Sequence, residues 1–298
     1  MVGTEPRKPT IVQRLLRFVK RIMILLIGIY LLIVLAMVLM EPSMVYPAAK
    51  YPAGGNWTPD FPHEDISFTA ADGVKCHGWL MRSNSQPETP RYVIYCHGNG
   101  ENVASAANWS TREIVEELGA TTFVFDYRGY GKSEGSPHEA GIKLDSERAF
   151  DVFCDQLNIQ PSDVILVGHS LGGGVATHLA ATKGCKALIL QKTFSSMPDV
   201  GASKFPILPV RLLMRNRFDS ATAIQNYDGP LFQAHGESDR VVPIRFGEKL
   251  FSKKPDHDLN RFLPLEGFGH NDGFPAGYWQ KVDHWLSKVE STAPSSAN

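Results

Sequence analysis

Gly168-His169-Ser170-Leu171-Gly172 joins an apolar run, Val164 to Val167, to a small-residue stretch, Gly173 to Ala181. Read as strand, tight turn and helix, this is the geometry that lifts a serine Oγ above the end of a sheet. Glycine on either side of the serine removes the Cβ atoms that such a turn would crowd. The helix that follows aims its unbonded N–H groups at the same point, where negative charge would develop on an attacked carbonyl. A bare Gly-x-Ser-x-Gly occurs often by chance. The β-forming residues before it and the Gly/Ala-rich stretch after it make this one specific, against the plainer reading of a glycine-rich turn with an idle serine.

A serine hydroxyl is hardly ionised at neutral pH and needs a base to take its proton and an acid to orient that base. In the chain order nucleophile, acid, histidine, the sequence offers Asp239, in the loop after the apolar run Leu231 to Ala234, and His270, in Gly269-His270 after the run Arg261 to Leu265. Rival residues are His97 and His169, which precede the acid, His284 in an amphipathic C-terminal segment, and Glu237 and Asp272 near the chosen acid and base. The oxyanion hole is expected after the strand Tyr92 to Cys96, in His97-Gly98-Asn99-Gly100, where glycine lets backbone approach closely. Asn99 and Leu171 are assigned as its two N–H donors, and His97 is expected to bond to backbone. Asp126 to Ser133, rich in Gly and polar residues, reads as a structural turn.

With these motifs on the page, the chain resembles the α/β-hydrolases, and within them the Bem46-like, ABHD-type branch. The resemblance rests on His97-Gly98-Asn99-Gly100, the Asp126 to Ser133 loop, the Gly168 to Gly172 elbow, Asp239 before Val242-Pro243, and Gly269-His270, and it covers residues 64 to 290. It extends to the Pro-containing, Arg-rich stretch Phe205 to Asp219, where such proteins carry a cap. The resemblance implies hydrolysis of an ester, thioester or amide without a cofactor.

The elements that must position these residues follow from pattern. Short apolar runs alternate with helix-length amphipathic segments, which predicts a mostly parallel sheet with helices on both faces. Ile66 to Phe68 and Cys76 to Met81, separated by Asp72-Gly73, predict an initial edge hairpin. Helices are expected near 103–118, 139–157, 171–183, 244–253 and 275–289. Residues 197–227 are expected as a small cap whose Phe194, Phe205, Ile207, Leu208, Val210, Leu212, Leu213 and Met214 divide between the core and an acyl pocket.

Ahead of the domain, Ile22 to Met40 is 19 residues without a charge, long enough at about 1.5 Å per residue to span a hydrocarbon core of about 30 Å. Arg7, Lys8, Arg14, Arg17, Lys20 and Arg21 precede it, opposed only by Glu5, so the positive-inside rule places the N-terminus in the cytoplasm and the domain across the membrane. The expected organisation is a basic cytoplasmic tail (1–21), a transmembrane signal anchor (22–40), a linker (41–62), the hydrolase domain (63–290) and a disordered tail (291–298). A cleaved signal peptide is the alternative, although its apolar region is usually shorter.

Without residues 1–40 the balance is 24 basic against 30 acidic residues, from totals of 30 and 31. That mildly acidic surface argues against nucleic acid. No Cys/His cluster has metal-ligand spacing, so no metal is expected. Cys76, Cys96, Cys154 and Cys185 are dispersed and read as buried thiols. Asn56-Trp57-Thr58 and Asn108-Trp109-Ser110 are glycosylation sequons by pattern. The expected function is a membrane-anchored serine hydrolase taking a small-molecule or lipid acyl substrate. A peptidase or amidase on the same triad and a non-catalytic binding protein of the same fold are the alternatives.

Overall fold

The strands at the centre of the molecule alternate their side chains between two apolar clusters. Ile94, Cys96, Leu166 and Leu188 belong to one, and Val93, Tyr95, Ile165, Val167 and Ile189 to the other. Successive strand residues face opposite sides, so strands apolar on both sides need helices on both. The computed structural model describes residues 10–59, 61–83 and 89–292. In chain order it runs α1 (Ile11–Val45), β1 (Glu64–Thr69), β2 (Lys75–Met81), β3 (Tyr92–Cys96), α2 (Val103–Ala106), α3 (Arg112–Leu118), β4 (Thr121–Phe125), α4 (Glu139–Leu157), β5 (Val164–His169), α5 (Leu171–Lys183), β6 (Ala187–Gln191), α6 (Met197–Lys204), α7 (Val210–Leu213), α8 (Ser220–Ala223), β7 (Leu231–Gly236), α9 (Ile244–Phe251), β8 (Arg261–Leu265) and α10 (Tyr278–Thr292).

The eight strands form one sheet in the order β1-β2-β4-β3-β5-β6-β7-β8. β1, β2 and β4 pair antiparallel, and every pairing from β4 through β3 to β8 is parallel. This is the α/β-hydrolase fold. From β3 the chain crosses to β4 on one side, and from β5 to β6 on the other. The neighbours β3 and β5 therefore flank a switch point, and a crevice opens beyond their C-terminal ends. The 97–101 loop and the turn at Ser170 leave the sheet at that place.

Three local expectations are corrected. The helix over 103–118 is interrupted by a π-helical turn, Ala107–Thr111. The Asn108 side-chain amide donates to the Ala104 carbonyl at 2.6 Å and competes with the backbone bond that a continuous helix would place there. The last helix begins at Tyr278 rather than at 275, because Gly277 takes φ +80° and the Tyr278 amide closes a turn on the Pro275 carbonyl. The segment from Pro42 to Pro62 does not hang free as a linker. Val45 and Tyr46 are buried in the core, the Tyr51 amide donates to the Gly131 carbonyl at 2.8 Å and the Gly131 amide to the Ala49 carbonyl at 2.9 Å, and the Trp57 ring meets the Trp79 ring edge to face at 5.8 Å.

The chain divides between Glu41 and Pro42 into two units. In the first, α1 carries the uncharged run and is, among the described residues, the one helix long and apolar enough to cross a membrane. It starts at Ile11, eleven residues ahead of the run, so the basic residues Arg14, Arg17, Lys20 and Arg21 are helical as well. The four cysteines are free thiols, three buried and Cys185 half-buried. The tail 293–298 lies outside the described residues.

Candidate active site

Ser170 occupies the single-residue turn between β5 and α5 with φ 52° and ψ −116°, a conformation that L-residues rarely adopt and that costs on the order of 1–3 kcal/mol. Its surroundings hold it there. The Ser170 amide donates to the Gln191 carbonyl at 3.0 Å, and the Thr193 hydroxyl donates to the Ser170 carbonyl at 2.7 Å. Both partners come from the end of β6. A Cβ at Gly168 would lie 2.4 Å from the Gly172 carbonyl oxygen, and one at Gly172 would lie 1.9 Å from that of Cys96. Only glycine fits either position, which is the steric reason for the motif's spacing.

The loops after β7 and β8 bring two side chains to this serine. His270 Nε2 lies 2.9 Å from Ser170 Oγ, and His270 Nδ1 lies 2.7 Å from Asp239 Oδ2. A carboxylate only accepts, so the ring proton belongs on Nδ1 and Nε2 is left to accept from the hydroxyl. Asp239 Oδ1 accepts the amides of Val241 at 2.8 Å and Val242 at 2.7 Å, which fixes the carboxylate plane. Burial pushes the Asp239 carboxyl upward in pKa, but hydrogen bonds from His235 and His270, the charge of His270 and the Val242 amide outweigh it and hold the group well below the usual carboxylate range. All three side chains are largely shielded from solvent.

The third component leaves β3. The Tyr127 hydroxyl donates to the His97 carbonyl at 2.9 Å and the Tyr130 hydroxyl to the Asn99 carbonyl at 3.0 Å, so the Asp126 to Ser133 loop braces the 97–101 loop from below. The Gly98 amide donates to Glu101 Oε2 at 2.6 Å, and the Asn99 side chain donates to the Val45 carbonyl at 3.2 Å. Among the described residues, the backbone amides of Asn99 and Leu171 have no protein acceptor. They are available to a ligand oxygen. His97 is fully buried, bonds to the Gly98 carbonyl through Nδ1 at 2.8 Å and stacks on Tyr127.

The rival residues are elsewhere. Glu237 and His284 are exposed, and Asp272 accepts the Gly269 amide at 2.6 Å, bracing the histidine loop from the outside. His169 lies with its ring centroid 5.6 Å from that of His270, and burial brings its pKa down to about 4, leaving it neutral at pH 7. Among the cap residues, Phe194 is buried, Phe205, Leu208, Val210, Leu213 and Met214 are half-buried, and Ile207 and Leu212 project into solvent. The last two therefore line neither core nor pocket, because the turn Phe205–Pro209 and the short α7 carry them outward.

Lys192 escaped the sequence reading. It follows β6 directly with φ 50°, is fully buried, and donates its Nζ to the Asp272 carbonyl and, at 3.4 Å, to that of Gly273, with the ammonium 4.8 Å from the Phe274 ring centroid. It thus grips the loop that carries His270. Burial lowers its pKa, against the raising influence of Asp272 and Asp239. A charged residue directly after an apolar strand was the available signal, but its partners lie 80 positions away.

The comparisons with known proteins agree with this fold. The alpha/beta hydrolase fold family matches residues 91–218. YfhR of Escherichia coli (strain K12) is 30% identical over 259 residues, covering 83% of this chain and 87% of its own. The bem46 protein of Schizosaccharomyces pombe is 29% identical over 273 residues, covering 86% of this chain and 89% of its own. The esterase Pf2001 of Pyrococcus furiosus superposes with a TM-score of 0.63 at 22% identity, over 79% of this chain and 97% of its own. Fold, motifs and relatives together establish that the chain belongs to the Bem46-like α/β-hydrolases.

Proposed function

We propose that the protein is a membrane-anchored serine hydrolase that cleaves an acyl ester or thioester through an acyl-enzyme on Ser170. The observation that carries this reading is the continuous chain of contacts from Ser170 Oγ through His270 to Asp239, at 2.9 and 2.7 Å. In the first half-reaction His270 Nε2 takes the hydroxyl proton as Oγ bonds to the acyl carbon. The carbonyl oxygen becomes an oxyanion against the Asn99 and Leu171 amides. Collapse expels the alcohol or thiol, which takes the proton from Nε2. In the second half a water enters, gives a proton to Nε2 and attacks the acyl carbon, and Ser170 leaves with that proton restored. Asp239 stays ionised throughout, which its depressed pKa favours, and stabilises the imidazolium. Nucleophile, proton-transferring base and oxyanion donors all come from the chain, and the substrate brings the electrophilic acyl carbon.

For the anchor, the reading is a span over 22–40 with the N-terminus in the cytoplasm and the domain on the other side. The basic cluster before the run supports that orientation. Alkaline carbonate should leave the full chain with the membrane, and reporters fused after Pro47 should work only if they function outside the cytoplasm.

Fluorophosphonate labelling of the full chain, absent in Ser170→Ala, tests the nucleophile. p-Nitrophenyl esters from acetate to palmitate, with an aminoacyl amide alongside, test the substrate class. Each methylene buried in an acyl pocket contributes about 0.8 kcal/mol, so kcat/KM should rise about fourfold per added carbon until the pocket is full. A flat profile, or preference for the amide, would overturn the acyl-ester reading in favour of a peptidase.

A further inference from the structure

Ile207, in the turn that joins α6 to α7, is 82% exposed and Leu212, in α7, is 81% exposed, and Pro206 next to Ile207 is exposed as well. Large apolar side chains grouped at a protruding tip mark a binding surface when their surroundings match a partner. Here the match is electrical. Residues 197–227 contain Lys204, Arg211, Arg215 and Arg217 against Asp199 and Asp219, a net charge of +2. The rest of the chain after residue 40 holds 20 basic and 28 acidic residues, a net of −8. Positive charge is thus concentrated where the apolar residues protrude. That combination, exposed large apolar side chains in a segment rich in Lys and Arg, is the composition of segments that lie in the interface of an anionic bilayer.

The tether is short on the same side of the site. Asn99, in the oxyanion loop, holds the Val45 carbonyl, and the Tyr46 hydroxyl donates to Asn216 in the cap at 2.8 Å. Five residues separate Val45 from Met40, where the uncharged run ends, and even fully extended they reach about 18 Å. On the anchor reading, Val45 stays within about 18 Å of the end of the uncharged run.

We infer that the cap docks on an anionic phospholipid bilayer, with Ile207 and Leu212 inserted among the acyl chains and the cap arginines and Lys204 against lipid phosphates. Docking would set the mouth of the serine site at the interface, so that an acyl chain can pass from lipid to Ser170 without crossing bulk water. The inference rests on the membrane anchor proposed above.

The test uses the full chain in vesicles of phosphatidylcholine, with and without phosphatidylglycerol, carrying an environment-sensitive fluorophore on Leu212→Cys. Lys281→Cys on α10 is the water-facing control, and the unmutated chain is the labelling blank. The Leu212→Cys probe should shift to the blue and be quenched by brominated acyl chains, more with phosphatidylglycerol than without and less at high salt. The Lys281→Cys probe should stay unquenched. In turn, Ile207→Asp/Leu212→Asp should lower turnover of a vesicle-embedded ester about tenfold or more and leave a soluble short-chain ester unaffected. A Leu212→Cys probe that emits as in water and escapes quenching overturns the inference, as does equal turnover of the embedded ester by the double variant. Release of the full chain by carbonate would refute the anchor instead, and a wild type inactive on the soluble ester would refute the hydrolase reading. Neither depends on the quenching result.

Discussion

Replacing Asp239 by asparagine changes one atom of the site and should remove nearly all activity. In the native arrangement Oδ1 accepts two backbone amides, from Val241 and Val242, while Oδ2 accepts from His270 Nδ1 and lies 3.4 Å from His235 Nε2. An asparagine can present its oxygen to only one of these sets. If the NH2 group faced the two amides, both N–H donors, the buried one of Val242 included, would lose their acceptor, which is the costlier choice. The oxygen therefore stays at the Oδ1 place and the NH2 points at His270. The ring must then accept at Nδ1 and carry its proton on Nε2, the nitrogen 2.9 Å from Ser170 Oγ. A protonated Nε2 cannot take the serine proton. The wrong tautomer costs about 10⁴-fold in kcat in such triads, which is about 5.4 kcal/mol at 1.36 kcal/mol per tenfold. Steady-state hydrolysis of p-nitrophenyl butyrate at pH 7.5 should show this loss with KM within about threefold of wild type, since Asp239 is not placed to touch the acyl group. The fluorophosphonate labelling rate should fall in parallel. A variant keeping more than about a tenth of wild-type kcat would refute the tautomer argument, and greater damage from Glu237→Gln would move the acid to that residue.

Ser170→Ala and His270→Ala should each abolish turnover, and the double variant should be scarcely worse than either, because members of a triad act as one unit; additive losses in kcat would sink the pairing. Gly172→Ala puts a methyl carbon 1.9 Å from the Cys96 carbonyl oxygen, so thermal melting should show a loss of about 3 kcal/mol or more, or no folded protein at all. Lys192→Met should cut kcat about tenfold to a hundredfold through a loosened His270 loop while leaving KM near wild type; an equal effect on KM alone would argue against that grip. Asp199 has a folded pKa of about 2: burial opposes the shift, and hydrogen bonds from Lys249, Ser195 and Arg211 drive it, so its stabilising contribution is complete above the unfolded value of 3.8 and is lost as pH falls through about 2. The melting temperature should therefore drop between pH 4 and pH 2, and drop less steeply in Asp199→Asn; parallel curves would remove Asp199 from the account.

The serine elbow was legible because its cause is local. Strand, turn and helix are contiguous, and the glycines at 168 and 172 answer clashes that any such turn creates. Asp239 and His270 could be named from chain order and from their places after β7 and β8, even though 31 residues separate the pair that the fold brings to 2.7 Å. What stayed hidden depends on distant partners. Tyr46 and Trp57 sit in a Pro- and Gly-rich stretch that reads as a spacer, yet their rings are packed against the domain by contacts with Asn216 and Trp79 that no local pattern announces. The π-turn at Ala107–Thr111 follows from a single side-chain bond, Asn108 to Ala104, inside a segment whose apolar periodicity is that of an ordinary helix. Composition also misled at the cap. Ile207 and Leu212 are as apolar as their neighbours, and only the outward turn at Phe205–Pro209 separates them from residues that pack inward.

The cap enters and leaves through one crossover. It is inserted wholly between β6 and β7, and those strands pair in parallel from Leu188 against Leu231 to Gln191 against Ala234 whatever lies between them. Ser170, Asp239 and His270 hang from β5, β7 and β8, and the 97–101 loop from β3, so none of them is threaded through the insertion. A longer, shorter or exchanged segment would accordingly leave the placement of these groups unchanged. For an engineer, residues 197–227 are a cartridge: transplanted between family members, the segment should carry preference with it and leave the chemistry behind.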